Sequence, residues 1–501
     1  MTRKKKMMMN VLIGGLYQII TVICNFILPK FFLKYYGSSV NGLVSSISQF
    51  LTLVTLCECG VGAVVQSAMY KPLAEHDNNS LSEIVISSSS FFRKIIYILI
   101  VYTIGLVIFY PLITIDSFDY MYTATLIMIL SFSYFAQYYL FLTYRLLLNA
   151  DQLGFIQLII HSIALIVNTI LSIVLIKLRM SIHIVKLVSS LVFICQPITL
   201  KLYVHKHYNL NLKIKFQGEP IKQKWNGFAQ HIANVVLTNT DTTVLTLFST
   251  LANVSIYSVY YLIVHGVRSV LLSMTTGIQA MFGNMYAKKE IELLSDTFST
   301  VTWIINFAVT TIFTITGIMM VPFVSVYTRG VTDANYIQPT FSVLITLAYA
   351  MYCIRLPYNM LVFAAGRYKQ TQWSSIIEAV LNILISVISV NKFGLNGVAA
   401  GTLFAMLYRT TYFAFYISKH IIKKKVSDYF KLLTIDAFIV VICVFVSKLI
   451  SSEATTYPSL IIMAVKVGII CLIVNIVINT VFYREMFIKS KKYLIRKKTN
   501  E

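Results

Sequence analysis

Residues 155–176 read FIQLIIHSIALIVNTILSIVLI. No charged residue interrupts them. As a helix rising 1.5 Å per residue, the stretch is long enough to cross a hydrocarbon core about 30 Å thick. Its polar members, Gln157, His161 and Asn168, are spaced i, i+4, i+11 and share one helical face. The first charges, Lys177 and Arg179, stand just past its end. An apolar helix with one polar stripe cannot turn that stripe to lipid cheaply, so it needs a second helix or a wet cavity beside it.

The same pattern recurs along all 501 residues. Apolar spans fall at 10–33, 43–65, 95–114, 120–142, 155–176, 182–202, 227–249, 255–281, 298–322, 340–362, 373–391, 397–418, 432–449 and 459–482. They are continuous, which separates them from the short alternating segments of a β-barrel. Lipid offers no partner to open backbone groups, so the spans are helices. Composition agrees: 57% of residues are hydrophobic and only 12% charged, against about 25% charged in soluble domains. Mean hydropathy is +0.75. The sequence therefore predicts an all-α polytopic membrane protein with about 14 transmembrane helices. No room remains for a soluble catalytic domain.

The net charge of +23 excludes little by itself, but its distribution orients the chain. With the N-terminus inside, 30 of the 42 Lys and Arg fall on cytoplasmic segments and eight on outer loops and their helix ends. The charge therefore marks membrane flanks and predicts no nucleic-acid partner. Both termini are expected in the cytoplasm. The opening Met1-Thr2-Arg3-Lys4-Lys5-Lys6 precedes an apolar run too long for a cleaved signal, so the first span is expected to stay. The segment that strains this topology is 177–186, with three basic residues on the outer face. The longest basic loop, 203–226, divides two six-helix halves from each other. The expected organisation is an N-terminal bundle over 1–202, a linker over 203–226, a C-terminal bundle over 227–420, and an extra helix pair with a basic tail over 421–501.

The seven cysteines, Cys24, Cys57, Cys59, Cys195, Cys353, Cys443 and Cys471, all lie in apolar runs. No metal-ligand spacing joins them to histidine, and they read as small buried hydrophobes. Neither a metal nor a cofactor is expected. Walker, zincin and nucleophile-elbow motifs are missing as well, which points to a secondary transporter rather than an enzyme.

Ionisable residues nonetheless sit inside the spans: Glu58, Asp241, Arg268, Arg355, Glu378, Arg409, Asp436 and Lys466. Each costs roughly 2.5–3.5 kcal/mol at a span centre. Asp436, Lys466 and Arg409 are near enough to span ends to snorkel. Gln230, Asn234 and Asp241 share a face, as do His265 and Arg268, and Arg355 and Asn359. Ser375, Glu378, Asn382, Ser386 and Ser389 form a stripe. Two readings are open for these groups: hydrogen-bonded glue between helices, or the lining of a polar chamber. The arginines favour an anionic ligand, because guanidinium is always charged and grips phosphate oxygens in a fork. The carboxylates Glu58, Asp241 and Glu378, with His265, suit ion or proton coupling or gating.

Glu58-Cys59-Gly60-Val61-Gly62 and Tyr70-Lys71-Pro72-Leu73-Ala74-Glu75 with Asp77 resemble the "E-x-G-x-G … Y-K-P-L-A-x-x-D" segment of Wzx-type polysaccharide flippases, a branch of the MOP (MATE-like) exporter superfamily. Asn149-Ala150-Asp151-Gln152, Thr240-Asp241 with Val254 to Tyr260, Gly366-Arg367 with Gln370 to Trp373, and Gly394-Leu395-Asn396-Gly397 with Gly401-Thr402 resemble its further landmarks. Cys59 departs from the aliphatic residue usual there. The resemblance runs from about residue 10 to 420. It implies two six-helix bundles (MATE/MOP-like) around a V-shaped cavity, alternating access, and a C-terminal helix pair along which a lipid tail can lie. It further implies an undecaprenyl-pyrophosphate-linked oligosaccharide as substrate, carried from the inner to the outer leaflet of the bacterial cytoplasmic membrane, for capsule or other surface polysaccharide. Arg268, Arg355, Arg409 and Arg145 would then hold the pyrophosphate, and Gln157, His161, Asn168, Gln230, Asn234, Asn359 and Asn382 would line the cavity. Membrane lipids, a polysaccharide polymerase and chain-length machinery are the implied partners. The competing expectations are a MATE-type cation or drug antiporter, which needs a carboxylate-dominated pocket, and a polytopic glycan polymerase or ligase, which needs a large outer loop.

Overall fold

The computed structural model describes residues 3–58, 61–138, 142–211, 228–275, 277–422, 425–450 and 454–486. The described residues are 89% helical, with no strand among them. Among the described residues, ten helical stretches are long and apolar enough to cross a membrane. The protein is a multi-pass membrane protein of about 14 transmembrane helices. It divides into two compact units, Met1–Thr243 and Val244–Glu501.

In the first unit, α1 (Arg3–Thr52) carries the first expected span and the start of the second as two arms joined at Gly37. The joint has φ 82° and ψ 174°, a conformation that a β-carbon all but forbids. The second expected span, 43–65, is not one continuous helix. It passes from α1 into a 3₁₀ turn (Leu53–Glu58), and α2 (Val61–Glu75) takes over beyond it. The segment expected as a loop, 66–94, is helical over most of its length. It holds the rest of α2 and the first part of α3 (Asn78–Ile113). The physical reason is Asp77, whose carboxylate accepts from the amides of Asn79 and Ser80, both at 3.0 Å, and so satisfies the open end of α3. Next come α4 (Tyr120–Ala136), α5 (Leu142–Ala150), α6 (Gly154–Lys177) and α7 (Ile182–His207). A four-residue turn with Arg179 at φ 57° separates α6 from α7. Residues 212–227 of the basic loop lie outside the described residues, and α8 (Phe228–Phe248) follows.

The second unit contains α9 (Leu251–Met274), α10 (Ile278–Ala287), α11 (Ile291–Tyr327), α12 (Pro339–Ile354) and α13 (Leu356–Ala364). The expected eighth span is divided between α9 and α10 by Gly277 at φ 90°. The tenth is divided between α12 and α13 at Arg355, ahead of Pro357. Then come α14 (Tyr368–Phe393), α15 (Leu395–His420), α16 (Ser427–Ile450) and α17 (Tyr457–Phe482).

The packing that positions the site is that of α14 on α15. Gly397 and Gly401 are one helical turn apart in a G-x-x-x-G pattern. A β-carbon at Gly397 would stand 2.6 Å from the Ser389 carbonyl. One at Gly401 would run into Ser386 Oγ and stand 2.9 Å from the Ser386 amide nitrogen. Only glycine lets the backbones approach this far, and in lipid such close contact replaces the missing hydrophobic drive between helices. Asn382 Nδ2 donates to Thr402 Oγ1 at 3.0 Å across the seam. The C-terminal pair is held to α11 by polar pins. Asn306 and Thr310 donate to Asp436 of α16. On α17, Asn475 donates to Thr311 Oγ1 at 2.6 Å, and Asn479 Oδ1 accepts from Trp303 at 2.8 Å.

Candidate functional site: an arginine cluster in the second unit

The close α14–α15 seam brings Glu378 within reach of Arg409. The carboxylate oxygen Oε2 accepts from Arg409 Nη1 at 2.6 Å. Its other oxygen, Oε1, accepts from Arg355 Nη1. Arg355 stands at the break between α12 and α13, where the helix axis is already interrupted. All three side chains are deeply buried: Glu378 is 1% exposed, Arg355 3% and Arg409 8%. One carboxylate thus serves two guanidiniums.

A third arginine joins through an aromatic ring. Tyr352 lies one turn before Arg355. The Arg268 guanidinium of α9 sits 4.0 Å from the Tyr352 ring centre, and the Arg355 guanidinium lies 5.0 Å from it. Arg268 Nη2 also donates to the Tyr352 hydroxyl at 2.8 Å. The ring's electron-rich face offsets part of the cost of holding two cations near each other. Three arginines and one glutamate leave the cluster with a formal charge of +2. Arg268 makes no ion pair with a carboxylate among the described residues.

Hydrogen-bonding capacity is left over around this cluster. Arg268 Nε, Arg409 Nε, Asn359 Oδ1 and Ser375 Oγ are buried without a hydrogen-bond partner among the described residues. An unsatisfied buried polar group costs about 1–3 kcal/mol, so four beside one charged cluster suit a polar ligand that completes them. Aromatic rings extend from Arg268 along α9. His265 is exposed and stands 5.4 Å from Tyr261, which contacts Tyr349 at 5.8 Å and Tyr257 at 5.7 Å.

The remaining sequence-derived candidates fall in the first unit and are separate from this cluster in the chain. His161 Nδ1 is 2.9 Å from Gln196 Oε1, and its ring meets Tyr17 edge-on at 5.4 Å. Gln157 donates to Asn149 at 3.2 Å, and Asn168 accepts from Ser172 at 3.4 Å. Arg145 is exposed on α5, and Asp241 is buried on α8. The side chains of Glu58, Gln230 and Asn234 lie outside the described residues, as does Cys59. The group that sequence reasoning did not single out is Tyr352, whereas Ser375 was already part of the α14 stripe. The spacing of Tyr352 three residues before Arg355 is the one signal that could have marked it.

Fold and site together define a class: a polytopic helical membrane protein with a cationic cluster inside its second unit. No protein-family model matches the sequence, and no curated protein does. Among solved structures, the chain is similar to a lipid II flippase, MurJ, in an inward closed conformation. That likeness has a TM-score of 0.70 at 18% identity, over 94% of this chain and 99% of that one. It is similar to a multidrug resistance MATE family transporter of the MOP superfamily in its inward-facing conformation, with a TM-score of 0.58 at 11% identity over 81% and 98% of the two chains. A eukaryotic MATE transporter gives 0.56 at 11% identity over 85% and 97%. Identities this low establish a shared fold.

Proposed function

We propose that the protein is a flippase for an undecaprenyl-pyrophosphate-linked oligosaccharide, turning it from the inner to the outer leaflet of the bacterial cytoplasmic membrane by alternating access, with both termini in the cytoplasm. The observation that carries the reading is the +2 cluster of Arg268, Arg355, Arg409 and Glu378 around Tyr352. A diphosphate is the ligand class whose charge and paired oxygens match it. Arg268, with no carboxylate on it among the described residues, makes the first contact. Glu378 holds Arg355 and Arg409 until phosphate oxygens compete for them, which gives the carboxylate a gating role. The tyrosines of α9 offer flat faces for sugar rings. From the sequence, Arg145 is assigned to the pyrophosphate, Asp241 and Glu58 to ion coupling or gating, and the polar stripe of α6 to the lining of a cavity. Capsule or related surface polysaccharide is the product served, and a polymerase with its chain-length machinery is the downstream partner.

The fold alone serves a drug antiporter equally well. That reading needs a carboxylate open to a cation, and Glu378 is bracketed by two guanidiniums instead. The experiment is reconstitution in vesicles with a fluorescent diphosphate-linked glycolipid, scored by its accessibility to an impermeant quencher. Flipping by the native chain and its loss in Arg268→Ala is expected. Cation-driven drug efflux without glycolipid flipping would overturn the proposal.

A further inference from the structure

A second cationic pocket shares no residue with the arginine cluster. It is a cavity of about 230 Å³ where the N-terminal turn of α16 meets α11, the last turns of α15 and the end of α17. Among the described residues, Lys425, Lys431 and Asp428 supply its charges, which sum to +1. Two hydroxyls on its wall have no hydrogen-bond partner among the described residues. Thr302 is 6% exposed, and its Oγ1 is covered and without a partner, as is the Tyr483 hydroxyl. Lys431 Nζ stands 5.6 Å from the Tyr483 ring centre. Burial, with the carboxylates of Asp436 and Asp428 nearby, pushes the Tyr483 phenol up to about 12, so at neutral pH it remains a donor. The rest of the wall is largely apolar, with Ile417 and Leu432 among its members.

We infer that this pocket binds the phosphodiester headgroup of an anionic phospholipid from the surrounding bilayer. The +1 charge balances one phosphodiester. The two orphan hydroxyls fit its free oxygens and a glycerol hydroxyl. The apolar wall suits the first carbons of the acyl chains. The position agrees with the sequence, because residues 419–431 carry five Lys and lie on the side that the Lys/Arg bias assigns to the cytoplasm. Basic pockets between helices at that face attract anionic headgroups. The lipid would wedge the C-terminal pair against α11 and α15.

Trp303 lines the same cavity and serves as a reporter. With Trp225→Phe and Trp373→Phe it is the sole tryptophan of the chain. The full chain is reconstituted in phosphatidylcholine vesicles, and Trp303 fluorescence is titrated with acyl-brominated phosphatidylglycerol or acyl-brominated phosphatidylcholine. Quenching at lower mole fractions of phosphatidylglycerol is expected. Each of Lys425→Gln and Lys431→Gln weakens that preference about fivefold, and Asp428→Asn strengthens it by a similar factor. The opposite signs keep the test sharp even if one variant fails to insert. Equal quenching by the two lipids overturns the proposal, as does a preference indifferent to all three substitutions. Abolition of the preference by excess inorganic phosphate would make a soluble anion the ligand and overturn the lipid assignment.

Discussion

At the scale of single residues, the decisive fact is that Glu378 is shared. Removing one member of a buried pair costs about 3–5 kcal/mol, because the charge left behind is neither hydrated nor paired. Glu378→Gln strands two arginines, so it should lower thermal stability in detergent by that amount. Glu378→Gln combined with Arg409→Met removes one of the two stranded cations and should recover part of the loss. Arg268 behaves differently. It makes no ion pair with a carboxylate among the described residues, so Arg268→Ala should cost only its stacking and hydrogen bond with Tyr352, about 1–3 kcal/mol, while abolishing flipping. A large drop in stability for Arg268→Ala would make it a structural residue. The arginines were legible in the sequence because a charge in an apolar span stands out. Their pairing was not. Arg355, Glu378 and Arg409 are 23 and 31 residues apart on separate elements, and periodicity speaks only within one helix. Tyr352 was hidden among 32 tyrosines.

At the scale of elements, glycines and caps decide what the hydropathy pattern leaves open. The α14–α15 seam depends on Gly401. Gly401→Ala forces a methyl into Ser386 and should cost about 1–3 kcal/mol by overpacking, with flipping lost in parallel because Glu378 and Arg409 ride on those helices. Unchanged stability in a thermal-shift assay would mean that the two helices can separate without penalty. Gly394-Leu395-Asn396-Gly397 and Gly401-Thr402 were visible as landmarks, but the contact between helices they permit was not, because a sequence does not say which neighbour a small residue meets. Asp77 illustrates the opposite case, a local signal that was available. Its carboxyl is held below the usual range by the Ser80 hydroxyl and then by backbone amides. A depressed folded value contributes stability above the ordinary carboxyl pKa and loses it as pH falls through the folded one. Amide exchange at Asn79 and Ser80 should therefore stay protected at neutral pH and open only below about pH 4. Asp77→Asn should keep the cap and abolish the acid step. Acid opening that persists in that variant would place the titrating group elsewhere.

At the scale of the whole molecule, hydropathy marks the helices and charge sets the expected direction. The strained point is the turn between α6 and α7, with Lys177, Arg179 and Lys186 on the side expected to face outward. Two features remove much of the strain. Lys186 is not a free loop charge: it lies within α7, with its ammonium 4.2 Å from the Phe32 ring centre. The turn itself is tied to α1, since the Tyr36 hydroxyl donates to the Met180 carbonyl at 2.6 Å. Tyr36 follows the first expected span, so the end of that span and the α6–α7 turn must lie on the same side of the membrane. An even number of crossings must therefore separate Tyr36 from the turn, as the four expected spans between them do. In a chain whose native cysteines are replaced by alanine, Leu178→Cys should react with an impermeant maleimide added to intact cells. Lys289→Cys, in the turn after α10, should react only after the membrane is opened. Both positions stand in solvent-facing turns, so a silent outcome is not expected. Labelling of both from one side would mean that one crossing between residues 178 and 289 is missing. It would then fall on α8, the span whose first half is described by backbone alone, and both termini could no longer share the cytoplasmic face.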